Sequence, residues 1–185
     1  LVVVVLSQYR NKMKDVMDAA TALVYLEGVI ERMLTAGLES NFVFETFRSG
    51  FTLCFKNQIE RNFLPYTVHL SMLDVSETVR STFIARLIEN PQRLVYPALH
   101  GTFESNFPSI SERGFLIPGA WNGIRMRNGC TYGRGIYFAN INAPDLALSF
   151  SCSSGCLLVC ALLKDDKVIR SVRDCQVVFD PSFCV

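Results

Sequence analysis

Near Arg93 the hydrophobic pattern changes period, and this change restricts the chain to a mixed helix-and-strand architecture. Before that point apolar residues recur at helical spacing. After it the segments shorten to strand length and glycine separates them. Met13, Val16, Met17, Ala20, Leu23, Val24, Ile30, Met33 and Leu34 line one face of a helix predicted from Met13 to Ala36, and Gly37 stands where such a helix ends. Between Phe42 and Phe63 the residues Phe44, Phe47, Phe51 and Phe55 step at helical spacing. The Ser49-Gly50 pair weakens that run, so a helix broken there is predicted. Asp74 precedes Glu77 in a start signal related to the capping box, and Asn90-Pro91 closes the third predicted helix. Leu1 to Leu6 reads as a buried strand, since no basic region precedes it and it is far too short to span a bilayer. His69, among Val68, Leu70 and Met72, reads as a packed histidine. This first half carries no cluster of catalytic residue types and reads as scaffold.

The second half is built from smaller pieces. Leu94 to Leu99 is a strand interrupted by Pro97, which predicts a sheet edge or an irregularity beside a site. Ser105 to Arg113 is a short helix with Ser105 or Asn106 as cap and Gly114 at its end. Gly119 to Thr131 is a polar loop holding Trp121, Arg125 and Arg127, of the kind that borders a cleft. Ile136 to Ala139, Leu157 to Leu163, Val168 to Val172 and Gln176 to Phe179 are predicted strands. Pro144 opens a helix after the first of them, and the residues Lys164 to Lys167 form a turn. The expectation is an α+β chain with a mainly helical segment over residues 1–92 and a strand-rich domain over 93–185.

Charge and cysteine content narrow the function classes. A net charge of +1 over 185 residues leaves no electrostatic footprint for charge-driven nucleic-acid binding. The seven cysteines are odd in number, cluster late and follow no secretion signal, which points to a reducing intracellular compartment, cytoplasmic or nuclear. Cys152, Cys156 and Cys160 recur at every fourth residue. Structural zinc needs four convergent ligands, and Cys160 lies within an apolar strand-like run, so these read as small buried hydrophobes and no metal is expected. A start without Met and a stop just after a strand-like segment suggest an excerpt of a longer polypeptide.

Two segments carry candidate chemistry. His100-Gly101-Thr102 joins a switchable donor and acceptor, a bare backbone that a ligand can approach, and a hydroxyl. Such a set suits an amide and a ribose, although a histidine capping a strand end would look the same. In Tyr132-Gly133-Arg134-Gly135-Ile136-Tyr137-Phe138-Ala139 two glycines permit a close approach and the following strand turns an aromatic onto one face. A plain glycine-hinged strand is the other reading. The separation of the two segments leaves room for one helix and one loop.

Together with the helix from Glu104 to Phe115 and the small-residue helix after Ala139, these motifs resemble the poly(ADP-ribose) polymerase family of diphtheria-toxin-like ADP-ribosyltransferases, especially its mono-ADP-ribosylating branches. The resemblance covers about Tyr96 to Asp180. It implies an ADP-ribosyltransferase-like core of short, mainly antiparallel strands with NAD as co-substrate. His100 would then donate to the adenosine-ribose hydroxyls and the Gly101 backbone would pair with the nicotinamide carboxamide. Thr102 would sit beside the same nucleotide, Tyr137 would stack on the nicotinamide ring, and Phe150 would supply the second aromatic of the sandwich. The implied chemistry is cleavage of the nicotinamide–ribose bond with positive charge developing on the sugar, and transfer of one unit to a protein or other macromolecular acceptor. The family's late-strand glutamate is replaced by Cys175, so polymer elongation is not expected. Family members lacking the glutamate transfer single units or have lost activity, which leaves an inactive module that binds NAD or ADP-ribose, or an interaction scaffold in a larger assembly, as the rival reading. Asp174 is the neighbouring carboxylate, but on a strand it would face the opposite side. Asp145 falls near a family serine that bonds the nicotinamide amide; it either accepts from that amide or caps the helix that Pro144 begins.

Overall fold

The structure, a computed structural model, describes residues 2–7, 19–64, 66–90, 94–119, 123, 131–151 and 155–185. One seven-stranded sheet with antiparallel neighbours runs through it in the order β2-β1-β5-β3-β4-β7-β6. The strands are β1 (Val2–Ser7), β2 (Thr67–Met72), β3 (Val95–His100), β4 (Ile136–Asn140), β5 (Cys156–Leu163), β6 (Ile169–Val172) and β7 (Cys175–Val178). The helices are α1 (Ala19–Thr35), α2 (Ser40–Asn62), α3 (Glu77–Glu89), α4 (Phe107–Arg113) and α5 (Pro144–Leu148). The α+β class follows. Among the described residues no helix is long and apolar enough to cross a membrane.

Beside the helices α1, α2 and α3, the first 92 residues contribute two strands to the sheet. β1 pairs with β2 on one side and with β5 on the other, from Val2↔Val159 to Val5↔Cys156. A single hydrophobic core runs from Leu26 to Val185 across the expected boundary. The strand at Thr67–Met72 is the element that periodicity overlooked, because six residues at an edge have little to bury. His69 is accordingly exposed there rather than packed.

Gly37, at φ +70°, ends α1: its N–H bonds the Leu34 carbonyl at 3.0 Å and the Leu38 N–H bonds the Met33 carbonyl at 3.2 Å, the paired bonds of a Schellman stop. The part of the predicted first helix before Ala19 lies outside the described residues. α2 then runs unbroken through Ser49-Gly50. A Cβ on Gly50 would come within 2.5 Å of the Leu26 Cδ1, so this glycine is where α1 crosses closely over α2, not a break. Phe44, Phe47, Phe51 and Phe55 lie on the buried face of α2, and Phe83 of α3 packs against the first two at 6.5 and 5.2 Å between centroids. α3 starts later than the carboxylate signal suggests: Ser76 is its cap, accepting from the Val79 N–H at 3.4 Å and donating to the Glu112 carbonyl at 2.7 Å. Asp74 instead offers its carbonyl to the Ser111 hydroxyl.

β3 lies inside the sheet despite Pro97. The bond from the Lys164 N–H to the Leu94 carbonyl, at 2.8 Å, fixes the alternation along β3 and β5. Even-numbered β3 residues bond β5 and odd-numbered ones face β4. The N–H that Pro97 lacks would face β4 beyond its last paired residue, since pairing there begins at Ala98↔Asn140. The strand therefore loses no ladder bond.

At Gly37 nothing lies within 4 Å of an added Cβ, so Gly37→Ala isolates the cost of left-handed backbone in a non-glycine residue. Urea denaturation is expected to show a loss of about 1 kcal/mol.

Candidate functional site

The expected site residues fall at the ends of β3, β4 and β7 and on α5. Pairing of β3 with β4 covers only Ala98↔Asn140 and Leu99↔Ala139. The next pair to exchange bonds would be Gly101 with Tyr137, and that exchange is missing. The His100 Nδ1 lies 2.9 Å from the Tyr137 carbonyl oxygen and takes the acceptor that the Gly101 N–H would otherwise use. Facing a carbonyl, Nδ1 must carry the proton. Among the described residues no hydrogen bond reaches the Gly101 N–H or C=O, so a donor and an acceptor remain side by side at the strand end.

The His100 ring is enclosed by Phe115 and Phe138, at 4.9 and 5.4 Å between centroids. That burial pushes its pKa below the ordinary 6.5, and the bond to Tyr137 opposes the shift only in part. The neutral ring therefore presents Nε2 as an acceptor. A ribose hydroxyl would donate to it, the reverse of the direction expected from sequence.

Strand alternation sorts the other candidates. Leu99, Ala139 and Tyr137 share one sheet face with Val177 and Cys175, since Tyr137 pairs with Val177 and Ala139 with Cys175. Phe138 and the imidazole packed on it occupy the other face. His100 thus meets Tyr137 through its backbone and not through its ring. The Tyr137 hydroxyl donates to the Gly133 carbonyl at 2.7 Å and accepts from the Tyr132 N–H at 3.1 Å, which fixes the ring. Arg170, on the Tyr137 side of β6, donates to the Tyr132 carbonyl at 3.1 Å and lies over the Phe179 ring.

Helix α5 closes over the same face. A Cβ on Gly101 would lie 1.8 Å from the Ala147 carbonyl oxygen and 3.1 Å from the Phe150 Cβ. Glycine is required here by the approach of α5, beside any approach of a ligand. Phe150 is adjacent and 43 % exposed, leaving its ring available for stacking. Ala147, not Asp145, stands against Gly101. The contact is made by the Ala147 backbone carbonyl, and Asp145 is an exposed acid in the first turn of α5. Thr102 is close in sequence, but its hydroxyl oxygen already accepts from Asn106 Nδ2 at 2.8 Å, at the start of the α4 region.

Gly133 and Gly135 are likewise explained by packing. A Cβ on Gly135 would meet the Val178 carbonyl and Val177 Cγ1, both at 2.7 Å, and Gly133 has φ +111° against the Phe179 ring. Cys175 is half-buried, and burial pushes its thiol pKa up, so it is a neutral thiol at physiological pH. Asp174 is exposed in the turn before β7, and its carbonyl accepts from the Asn140 N–H at 2.8 Å. Cys156 and Cys160 are buried on β5 as expected, whereas Cys152 lies outside the described residues. Among the described residues no three His, Cys, Asp or Glu side chains gather as metal ligands. Of the predicted cleft loop, Trp121, Arg125 and Arg127 lie outside the described residues.

Sequence reasoning missed Ala147, Phe115 and Phe138 around the site. A β3–β4 register would have found the last, since His100 falls opposite Phe138 when the pairing is extended. No family model and no curated protein matches the chain.

Two outcomes are expected. Protonation of His100 is favoured in the unfolded chain, so the folded state loses stability as pH falls through the window below 6.5 and regains it as pH rises. Thermal melts between about pH 7 and pH 5.5 should show this slope in the native chain and a shallower one in His100→Asn, which keeps a donor near the Nδ1 position. Gly101→Ala meets backbone rather than a movable side chain, and is expected to cost about 3 kcal/mol in urea denaturation.

Proposed function

We propose that the chain is an NAD-dependent mono-ADP-ribosyltransferase that places one ADP-ribose unit on a protein or other macromolecule and releases nicotinamide. In this reading β3 to β7 form an ADP-ribosyltransferase-like core. The observation that carries it is the unpaired Gly101 N–H and C=O, flanked by α5 and Phe150 on the face that also holds Tyr137. A carboxamide complements that pair: its oxygen accepts from the N–H and its NH2 donates to the C=O. The motifs shared with the poly(ADP-ribose) polymerase family point the same way.

The chemistry breaks the bond between nicotinamide and ribose C1′. The electron pair leaves with the nicotinamide, and the acceptor nucleophile then bonds C1′ and gives up its proton. Gly101 orients the leaving group and Tyr137 and Phe150 stack on it from one sheet face, while the His100 Nε2, on the other face, accepts from a hydroxyl of the adenosine ribose at the far end of the dinucleotide. Geometry of this kind lowers the barrier by holding the reacting bond in place rather than by stabilising charge. The free thiols of Cys54, Cys160, Cys175 and Cys184 suit a reducing compartment, cytoplasmic or nuclear.

One observation favours a second reading. The position opposite Ala139, where the family has a glutamate, holds a neutral thiol that cannot answer the positive charge on the ribose. The chain would then bind NAD or ADP-ribose without turning it over, or serve as a scaffold. Incubation with labelled NAD separates the two. Transfer of label with nicotinamide release, abolished in His100→Ala, is the result expected of the enzyme; a saturable thermal shift without release identifies the binding module. Cys175→Glu is expected to raise release by about tenfold or more, and a folded, NAD-binding Cys175→Glu protein with unchanged release contradicts the placement of residue 175 in the site.

A further inference from the structure

We infer that Asn140 is a positioning residue that sets where residue 175 stands relative to Tyr137; this rests on the transferase reading above. Asn140 is the last residue of β4, and Cys175, the first of β7, pairs with its neighbour Ala139. Three polar groups of Asn140 grip the chain on both sides of Cys175. Its backbone N–H donates to the Asp174 carbonyl at 2.8 Å, its Nδ2 donates to the Arg173 carbonyl at 3.0 Å, and its Oδ1 accepts from Gln176 Nε2 at 2.8 Å. Gln176 is itself buried and fully engaged, since its Oε1 accepts from the Ser171 hydroxyl at 2.7 Å.

The need for such a clamp is local. The turn between β6 and β7 places Arg173 at φ +52°, the one described non-glycine residue with a left-handed backbone. Arg173 and Asp174 are exposed and contribute no buried side chain to hold the turn. The β6 strand beyond it is the sheet's edge. Without Asn140 the start of β7 would keep its ladder to β4 but lose the side-chain bonds that fix its first residue. A shift of that residue leaves Gly101, Phe150 and His100 where they are, so nucleotide binding and the chemical step respond differently.

The test uses the full chain in two forms. In Cys175→Glu protein, adding Asn140→Ala is expected to lower kcat for nicotinamide release by about tenfold or more, because a small misplacement of a reacting group is costly. The KM for NAD should stay within about twofold. Asn140→Asp, which keeps the acceptor for Gln176 and loses the donor to Arg173, should fall between. In the chain with its native cysteine, iodoacetamide alkylation mapped by mass spectrometry should speed up at Cys175 and not at Cys54 when Asn140 is replaced. An unchanged kcat in a release-competent pair, or a rise in KM that accounts for the loss, overturns the proposal. If no variant releases nicotinamide, the transferase reading fails by itself and the alkylation map decides: selective acceleration at Cys175 upholds the clamp, and equal rates overturn it.

Discussion

The hydrogen bond from the His100 Nδ1–H to the Tyr137 carbonyl organises the region that gives this chain its candidate function. It stands where a strand-to-strand bond would otherwise form, and it ends the β3–β4 ladder one exchange early. Its net worth is only about 1 kcal/mol, yet three consequences follow from it. The imidazole is fixed in one tautomer, its second nitrogen becomes an acceptor, and among the described residues the Gly101 backbone is left with a donor and an acceptor unmatched. Enclosure by Phe115 and Phe138 keeps the ring neutral, which preserves that arrangement at physiological pH. In the proposed reading the histidine that ends the strand ladder is also the one that would meet the nucleotide.

The glycines illustrate how one sequence signal can have several physical causes. Gly37 supplies a left-handed helix stop, while Gly50 admits Leu26 where two helices cross. Gly101 lies under the Ala147 carbonyl, and Gly135 lies under β7. From sequence, Gly101 and the Gly133–Gly135 pair suggest a bare backbone open to a ligand. In the fold their missing side chains make room for other parts of the protein. What remains for a ligand at Gly101 is the hydrogen-bonding edge of the peptide, a property of the terminated ladder that no residue type announces.

Legibility of the fold followed the strength of local periodicity. The strands β3 to β7, the stop at Gly37 and the short helices around Phe107 and Pro144 were readable because buried strands and capped helix ends leave compact signatures. The continuity of α2 was not, since the tertiary contact with Leu26 turns Gly50 from a weak point into a fit. β2 escaped notice because an edge strand has few residues to bury. Pro97 suggested an edge or an irregularity beside a site because a sequence does not reveal which side of a strand each N–H faces, and only the register with β5 shows that its missing donor lies beyond the end of β4. The site divides similarly. His100, Gly101, Tyr137 and Phe150 were legible as residue types, but the separation of the two rings onto opposite faces, the approach of the Ala147 carbonyl to Gly101 and the bonds of Asn140 to the start of β7 all depend on pairing registers and tertiary packing.

In the proposed reading the Gly101 peptide is an open donor–acceptor pair shaped for a carboxamide. Amide NMR of the labelled protein tests it without requiring turnover. The Gly101 N–H should exchange with solvent faster than that of Leu99, and nicotinamide should shift its resonance at lower concentration than nicotinate, whose second carboxylate oxygen meets the Gly101 carbonyl without a donor. A Gly101 amide as protected as its neighbour on β3, or one indifferent to nicotinamide, would contradict the account.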